Sequence, residues 1–310
     1  MAERKALITG ARGFLGRALM LRLGLGWQSI GTIHHAERNV NLLVCDITNA
    51  ARVAEVIQQT SPDVIFHTAA LTPAVAPQAS AEDFMRVNVD GTRNLLEAVR
   101  QHAPQARVIL VTSSAMFGIP ESDDGIIYEE TALRPVNAYG LSKATQHLLG
   151  YQYFAQYKLD VVRVCPFNLI GNFLPKGLVA SDFAAQIAAI ERGKQEPVIQ
   201  VGDLSGKRDF LDAYDAADAL IALVEAGKVG ESYNLASGQA VSICYLLDEL
   251  LNISTAEIEV RPRANVSPNP VPIQIGSHDK LTQATGWQPQ TPFKVSLAEV
   301  LGYWRTVKMK

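Results

Sequence analysis

Short, mostly apolar runs recur along the chain at intervals long enough to hold a helix: Ala6–Ile8, Ser29–Ile33, Leu42–Val44, Val64–Phe66, Val108–Val111 and Val161–Val164. Runs that are apolar at successive positions predict strands buried on both faces, as in parallel sheets. Between them, Asn49–Gln59, Ala81–Gln101 and Ala138–Tyr157 carry helical spacing and capping residues. Strands and helices in alternation predict an α/β fold built on a doubly wound parallel sheet.

After about Cys165 this rhythm breaks into Gly- and Pro-containing loops, with helices near Ser181–Arg192 and Tyr214–Ala226 and a Pro-rich stretch from Arg261 to Pro272. The change predicts a larger domain over residues 1–165, rejoined by about 207–236. Residues 166–206 and 237–310 then form a smaller C-terminal lobe. No internal repeat or low-complexity tract interrupts the chain.

Composition narrows the possible partners. The 310 residues are 48% hydrophobic and 19% charged, with a formal charge of −3 and a pI near 6.1, so no global field attracts nucleic acid or anionic lipid. The longest uncharged stretch, Val64 to Ala81, contains His67, Pro73 and Pro77, and no membrane span is expected. Near the N-terminus the apolar run is three residues long, too short for a secretion signal, which predicts a cytoplasmic protein. Cys45, Cys165 and Cys244 are odd in number and far apart, without metal or redox spacing, and all three are expected in the core.

The first predicted strand runs into Thr9-Gly10-Ala11-Arg12-Gly13-Phe14-Leu15-Gly16, and a helical pattern follows over Arg17–Leu23. In this order, strand, glycine loop and helix form a dinucleotide site of the Rossmann type. Gly10 permits the tight turn, Gly13 lets backbone N–H groups approach a pyrophosphate, and Gly16 lets the helix pack on the strand.

Tyr139 and Lys143 lie four residues apart at the start of a predicted helix, which puts phenol and ammonium on one face. A neighbouring cation lowers a phenol's pKa, so Tyr139 is a candidate proton donor or acceptor. Upstream, Thr112-Ser113-Ser114 ends a strand where a hydroxyl can share a substrate oxygen with that phenol. Adjacent His34 and His35 follow the second strand and are not expected to bind a metal, because neighbouring strand residues point to opposite faces.

Taken together, the glycine loop, Ser113 and Tyr139/Lys143 resemble the extended short-chain dehydrogenase/reductase family of NAD-dependent epimerases and dehydratases. Supporting matches are His67-Thr-Ala-Ala70, Asn88-Val-Asp-Gly-Thr92, Phe167-Asn168-Leu-Ile-Gly171, Arg208-Asp209-Phe210 and Gly286-Trp287-Gln-Pro289. Within that family the chain looks most like the GDP-4-keto-6-deoxy-mannose reductases. The resemblance implies Ser113, Tyr139 and Lys143 as catalytic residues. It implies cofactor contacts from Gly10, Arg12, Gly13, Phe14, Leu15 and Gly16, from His34 and Arg38, and from Asp46 and Ile47. Further on, Ala69, Ala70, Asn88, Tyr139, Lys143 and Pro166 would reach the same cofactor, while Ser114, Asn168 and Arg208 would hold a nucleotide sugar. Asp46 has a second reading as an N-cap of the following helix.

His34 and His35 stand directly after the second strand, where an acid would hold ribose hydroxyls, whereas Arg12 and Arg38 can meet a 2′-phosphate. NADP(H) is therefore expected ahead of NAD(H), which stays open. Where the dehydratases carry an acid two residues after the catalytic Ser/Thr, this chain has Ala115. The family's phosphate- and ribose-contacting Arg-Pro-x-Glu-Val stands here as Ser267-Pro268-Asn269-Pro270-Val271. The implied activity is reduction of the C4 ketone of a 4-keto-6-deoxy sugar nucleotide, with Tyr139 as proton donor and a homodimer paired through a four-helix bundle. A nucleotide-sugar 4-epimerase and a non-catalytic dinucleotide-binding sensor or scaffold are the alternatives.

Overall fold

The computed structural model describes residues 3–36, 42–263 and 271–307. Seven parallel strands form the central sheet: β1 (Arg4–Thr9), β2 (Trp27–Ile33), β3 (Leu43–Val44), β4 (Val64–His67), β5 (Arg107–Val111), β6 (Val161–Pro166) and β7 (Ser232–Leu235). Their spatial order is β7-β6-β5-β4-β1-β2-β3. From β1 the chain winds outward to β3, then crosses back to begin again at β4. The switch point therefore lies between the carboxyl ends of β1 and β4, where such sheets open a crevice.

The helices are α1 (Phe14–Arg22), α2 (Ala50–Thr60), α3 (Ala81–Phe84), α4 (Gly91–His102), α5 (Ala138–Tyr157), α6 (Val179–Glu191), α7 (Ala213–Ala226), α8 (Ile243–Asn252), α9 (Asp279–Thr285) and α10 (Phe293–Thr306). Both faces of the sheet are covered, as the unbroken apolar runs require. Ala6, Ile8 and Phe66 face α1 and α7 through Leu19, Ala216 and Leu220. Leu7, Ile65 and Leu110 face α2 and α4 through Ile57 and Leu96. In the smaller lobe, α6, α8 and α10 close a separate core around Ile187, Leu250 and Leu301.

The six expected strands occur in order, and β7 adds a seventh beside β6. Asn49 caps α2 by accepting a hydrogen bond from the Arg52 N–H at 3.1 Å. The helix expected over 81–101 is interrupted: Met85–Asp90 forms a π-turn between α3 and α4. Cys45 and Cys165 are buried, but Cys244 is exposed, contrary to the expected core position. Ile243, Leu246, Leu247 and Leu250 form the buried stripe of α8 at helical spacing, and Cys244 falls off that stripe. Among the described residues, no helix is long and apolar enough to cross a membrane.

Candidate active site

β1 ends at Thr9 and passes the chain to Gly10, whose φ of +70° lies in the left-handed region. A β-carbon there would lie 2.9 Å from Ala69 N and Cα, so this turn also demands glycine for space. At Gly16 a β-carbon would collide with the Gly10 carbonyl oxygen, and its absence lets α1 lie against its own loop. Gly13 is the N-cap of α1, and no side chain caps the first turn. Gly13, Phe14 and Leu15 instead line a cleft of about 540 Å³. Uncapped amides at the positive end of a helix, facing a cleft, fit a pyrophosphate.

The cleft lies outside the carboxyl ends of β1, β4, β5 and β6, with Thr68, Ala70, Ser113, Ser114, Pro166 and Asn168 among its walls. From the smaller lobe, Leu174, Pro175 and Gln274 form the opposite side, joined by Phe210. Ala115 lines the cleft, while Met116 is fully buried in the core beneath. Among the described residues that line it, Tyr139 and Lys143 are the titratable groups, and none is a carboxylate or an imidazole.

Ser113 follows β5, and its Oγ accepts a hydrogen bond from the Ala115 N–H at 3.2 Å, which starts a single 3-10 turn. Tyr139 is the second residue of α5, where Asn137 caps the helix by accepting from the Gly140 N–H at 2.7 Å. The Ser113 hydroxyl acts on the phenol as a neighbouring polar group, and Phe84 packs edge-on to the ring at 5.8 Å. One turn further on, Lys143 Nζ donates to Gln146 Oε1 at 2.8 Å and to the Val111 carbonyl at 3.3 Å.

Burial pushes the Tyr139 phenol up, and the nearby Ser113 hydroxyl offsets only part of this. Burial pulls Lys143 down to about 7. The expectation that Lys143 lowers the phenol is corrected here: desolvation sets the direction of the shift, and an ammonium lost near 7 is already neutral where a phenol titrates. The resting phenol is protonated, the state a proton donor needs.

Other expected residues stand behind or beside the cleft. Asn88 is fully buried; its Oδ1 accepts from the Leu71 N–H at 2.7 Å, and its Nδ2 donates to the Leu71 carbonyl at 3.1 Å and to Ser142 Oγ at 2.9 Å. With both amide protons used, it holds the strand-end loop and does not form the wall. The Ala69 N–H donates to Thr9 Oγ1 at 3.2 Å. Ile47 is packed in the core beneath α4, and its carbonyl accepts from Asn94 Nδ2 at 3.1 Å. Asp46 Oδ1 accepts from the Thr48 N–H and hydroxyl at 2.9 and 2.8 Å. Its reading as an N-cap is corrected, because Asn49 takes that position.

His34 Nε2 lies 3.3 Å from Asp46 Oδ2. Because β2 ends at Ile33, His34 and His35 sit in a bend with ring centroids 3.8 Å apart, and not on opposite strand faces as expected. Arg12 is exposed, and its carbonyl accepts from Arg17 Nε at 2.9 Å. Arg38 lies outside the described residues, as do Ser267–Pro270.

The Arg208-Asp209-Phe210 motif divides its tasks. Arg208 does not line the cleft, and its Nη1 donates to the Lys207 carbonyl at 2.8 Å. Buried Asp209 anchors a loop by accepting from the Ser237 and Gly238 N–H groups at 2.7 and 2.9 Å. Phe210 reaches the cleft, and Asn168 Nδ2 donates to the Asp209 carbonyl at 3.0 Å. Gln274 was not expected; nothing in its local sequence marks it, and only the return of the chain to Ser114 brings it to the site.

A family model described as the NAD dependent epimerase/dehydratase family matches residues 6–236. The chain is 28% identical to the GDP-6-deoxy-D-mannose reductase of Pseudomonas aeruginosa, with 98% of each chain covered. It is also 28% identical to the GDP-6-deoxy-D-talose 4-dehydrogenase of Aggregatibacter actinomycetemcomitans, with 91% of each covered. Among solved structures, that of RMD from Pseudomonas aeruginosa complexed with NADPH superposes with a TM-score of 0.87 at 28% identity, covering 98% of this chain and 100% of that one.

Proposed function

Because this chain belongs to the NAD dependent epimerase/dehydratase family, we propose that it is a nucleotide-sugar oxidoreductase that reduces the C4 ketone of a 4-keto-6-deoxy sugar nucleotide. The observation that carries this reading is the chemistry of the cleft: one phenol, one ammonium and no carboxylate among the described lining residues. Eliminating water from an intact sugar needs an acid for the departing hydroxyl and a base for the adjacent carbon. Reducing a ketone needs one proton. A bound dihydronicotinamide supplies the hydride.

Ser113 Oγ–H hydrogen-bonds the ketone oxygen and polarises it. Tyr139 gives its phenolic proton to the oxygen as negative charge develops there, so ketone, hydride and proton balance as an alcohol. Lys143 stabilises the phenolate left behind and holds a ribose hydroxyl of the cofactor. The uncapped first turn of α1 takes the pyrophosphate. Preference for NADP(H) over NAD(H) is supported by His34 and His35 at the end of β2 in place of an acid, by Arg12 and Arg38, and by the NADPH in the Pseudomonas aeruginosa structure. The lobe over 166–206 and 237–310 would seat the nucleotide sugar, with Ser114 and Asn168 at the wall.

Exposed Leu141, Leu148, Tyr151 and Tyr157 along α5 support a homodimer paired through this helix. Three unpaired thiols suit the reducing cytoplasm.

A panel of GDP-, UDP- and dTDP-sugars, including 4-keto-6-deoxy forms, assayed with NADPH and NADH tests the function. Loss of reduced-cofactor absorbance with a 4-keto substrate is the expected result. Sugar interconversion without net cofactor change would establish an epimerase instead, and tight cofactor binding with neither activity would establish a sensor.

A further inference from the structure

Beneath the cleft, five side chains from four elements form one polar chain in which each proton is assigned by its neighbours. Lys143 has donors only, so the atom 2.8 Å away must be Gln146 Oε1, which turns the amide nitrogen toward Thr92 Oγ1, also at 2.8 Å. Thr92 spends its hydroxyl proton on the Asn88 carbonyl at 2.6 Å, so its oxygen accepts from both Gln146 Nε2 and His67 Nε2, the latter at 2.9 Å. His67 therefore carries its proton on Nε2 and accepts at Nδ1 from Thr9 Oγ1 at 2.8 Å. Burial, with the nearby Lys143 charge, pulls His67 down to about 3 and keeps the imidazole neutral. All five residues are at most 2% exposed.

The consequence falls on Lys143. Of its three ammonium protons, one goes to Gln146 Oε1 and one to the Val111 carbonyl, which leaves the third for the cleft. Among the described residues, no carboxylate acts on it. A buried ammonium held only by neutral oxygens depends strongly on each of them. Were the Gln146 amide to flip, its N–H groups would face a donor and its oxygen would face an acceptor-only Thr92. The chain through Thr92 and His67 forbids that flip.

We propose that Gln146 is a positioning residue that fixes the Lys143 rotamer and supplies the oxygen that keeps its ammonium protonated beneath the cleft. Thr92 and His67 act through it by locking the amide. The role rests on the reading of Lys143 as partner of the Tyr139 phenol and the cofactor ribose, but its content is the charge state of Lys143, which can be read without substrate.

Competitive labelling of the whole ligand-free protein with acetic anhydride, followed by mass spectrometry of the Lys143 peptide across the neutral and alkaline range, gives that charge state directly. Gln146→Leu fills the same space without an acceptor, so the labelling midpoint should fall by about one pH unit, a tenfold loss of ammonium stability. Gln146→Glu puts a carboxylate at the same distance and should raise the midpoint by about as much. A merely structural role would lower the melting temperature of both variants without moving the two midpoints in opposite directions. Either folded variant with a midpoint within about 0.3 unit of wild type overturns the proposal. A wild-type protein that reduces no 4-keto sugar, yet shows both shifts, would sink the reductase reading and leave the role of Gln146 standing.

Discussion

Ser114 Oγ donates a hydrogen bond of 3.2 Å to Gln274 Oε1 across 160 residues of chain. In return, Gln274 Nε2 donates to the Gly118 carbonyl at 3.0 Å. Strand Ile273–Gly276 of the smaller lobe is thereby stitched to the loop that carries Ser113. Both residues are buried and line the cleft, so the stitch fixes this part of its wall.

Gln274→Ala should leave buried groups unpaired and cost about 1–3 kcal/mol of stability, measurable by urea unfolding. Its effect on catalysis should fall on the sugar substrate, with a KM raised several-fold and NADPH affinity unchanged. Equal losses in both affinities would place the effect elsewhere.

Tyr139→Phe should lower turnover by about 10²–10⁴-fold while cofactor binding persists. Burial pushes the phenol up and pulls Lys143 down to about 7. The donor therefore stays protonated through neutrality, whereas the ammonium is lost as pH rises through about 7. Reductase kcat/KM should be flat below that point and decline above it, and a profile that instead rises with pH would contradict the assignment.

Unmodified GDP-mannose, or any other intact nucleotide sugar, should yield no 4-keto-6-deoxy product. Ala115 brings a methyl group to the wall, and no described lining residue replaces the missing acid. Product analysis by mass spectrometry that found the dehydrated sugar would refute this.

His67 and His147 are both pulled down to about 3, chiefly by burial. An unfolded histidine binds its proton near pH 6.5, so between roughly 6.5 and 3 the unfolded chain holds protons that the native state refuses. Stability should fall on acidification through that window, by up to about 1.4 kcal/mol per pH unit for each imidazole. Denaturant unfolding at several acid pH values should show a shallower dependence for His147→Gln; identical slopes would show that His147 does not contribute.

Light scattering at micromolar concentration should return twice the chain mass. Leu148→Glu, at an exposed position of α5, should halve it without loss of helix content. A wild-type monomer would leave the apolar face of α5 without the expected partner.

Some features are legible because their cause is local. Val64–Phe66 and Val108–Val111 are apolar at every position, which only a strand covered on both faces can bury. Gly10, Gly13 and Gly16 state the loop geometry within eight residues. Tyr139 and Lys143 share a helix face by spacing alone. Cys244 is equally local, since the stripe Ile243, Leu246, Leu247, Leu250 already points away from it, and periodicity outranks its low polarity.

What the sequence determined by itself is thus the alternating α/β order, the glycine loop before α1 and the phenol that shares a helix face with its lysine, all interactions that span a few residues of chain. Tertiary structure alone decided which way the Tyr139 phenol shifts, because only the closed fold buries it. It also decided that Asn88 supports the wall from behind, that Asp46 leaves the cap of α2 to Asn49, and that Gln146 and Gln274 belong to the site at all. Gln146 has Lys143 three residues away on its own helix, but the Thr92 that orients its amide is 54 residues away, and Ser114 is 160 residues from Gln274. Hydrogen-bond direction and desolvation depend on which atoms meet and on how much water they exclude, and neither is set until the sheet has closed around them.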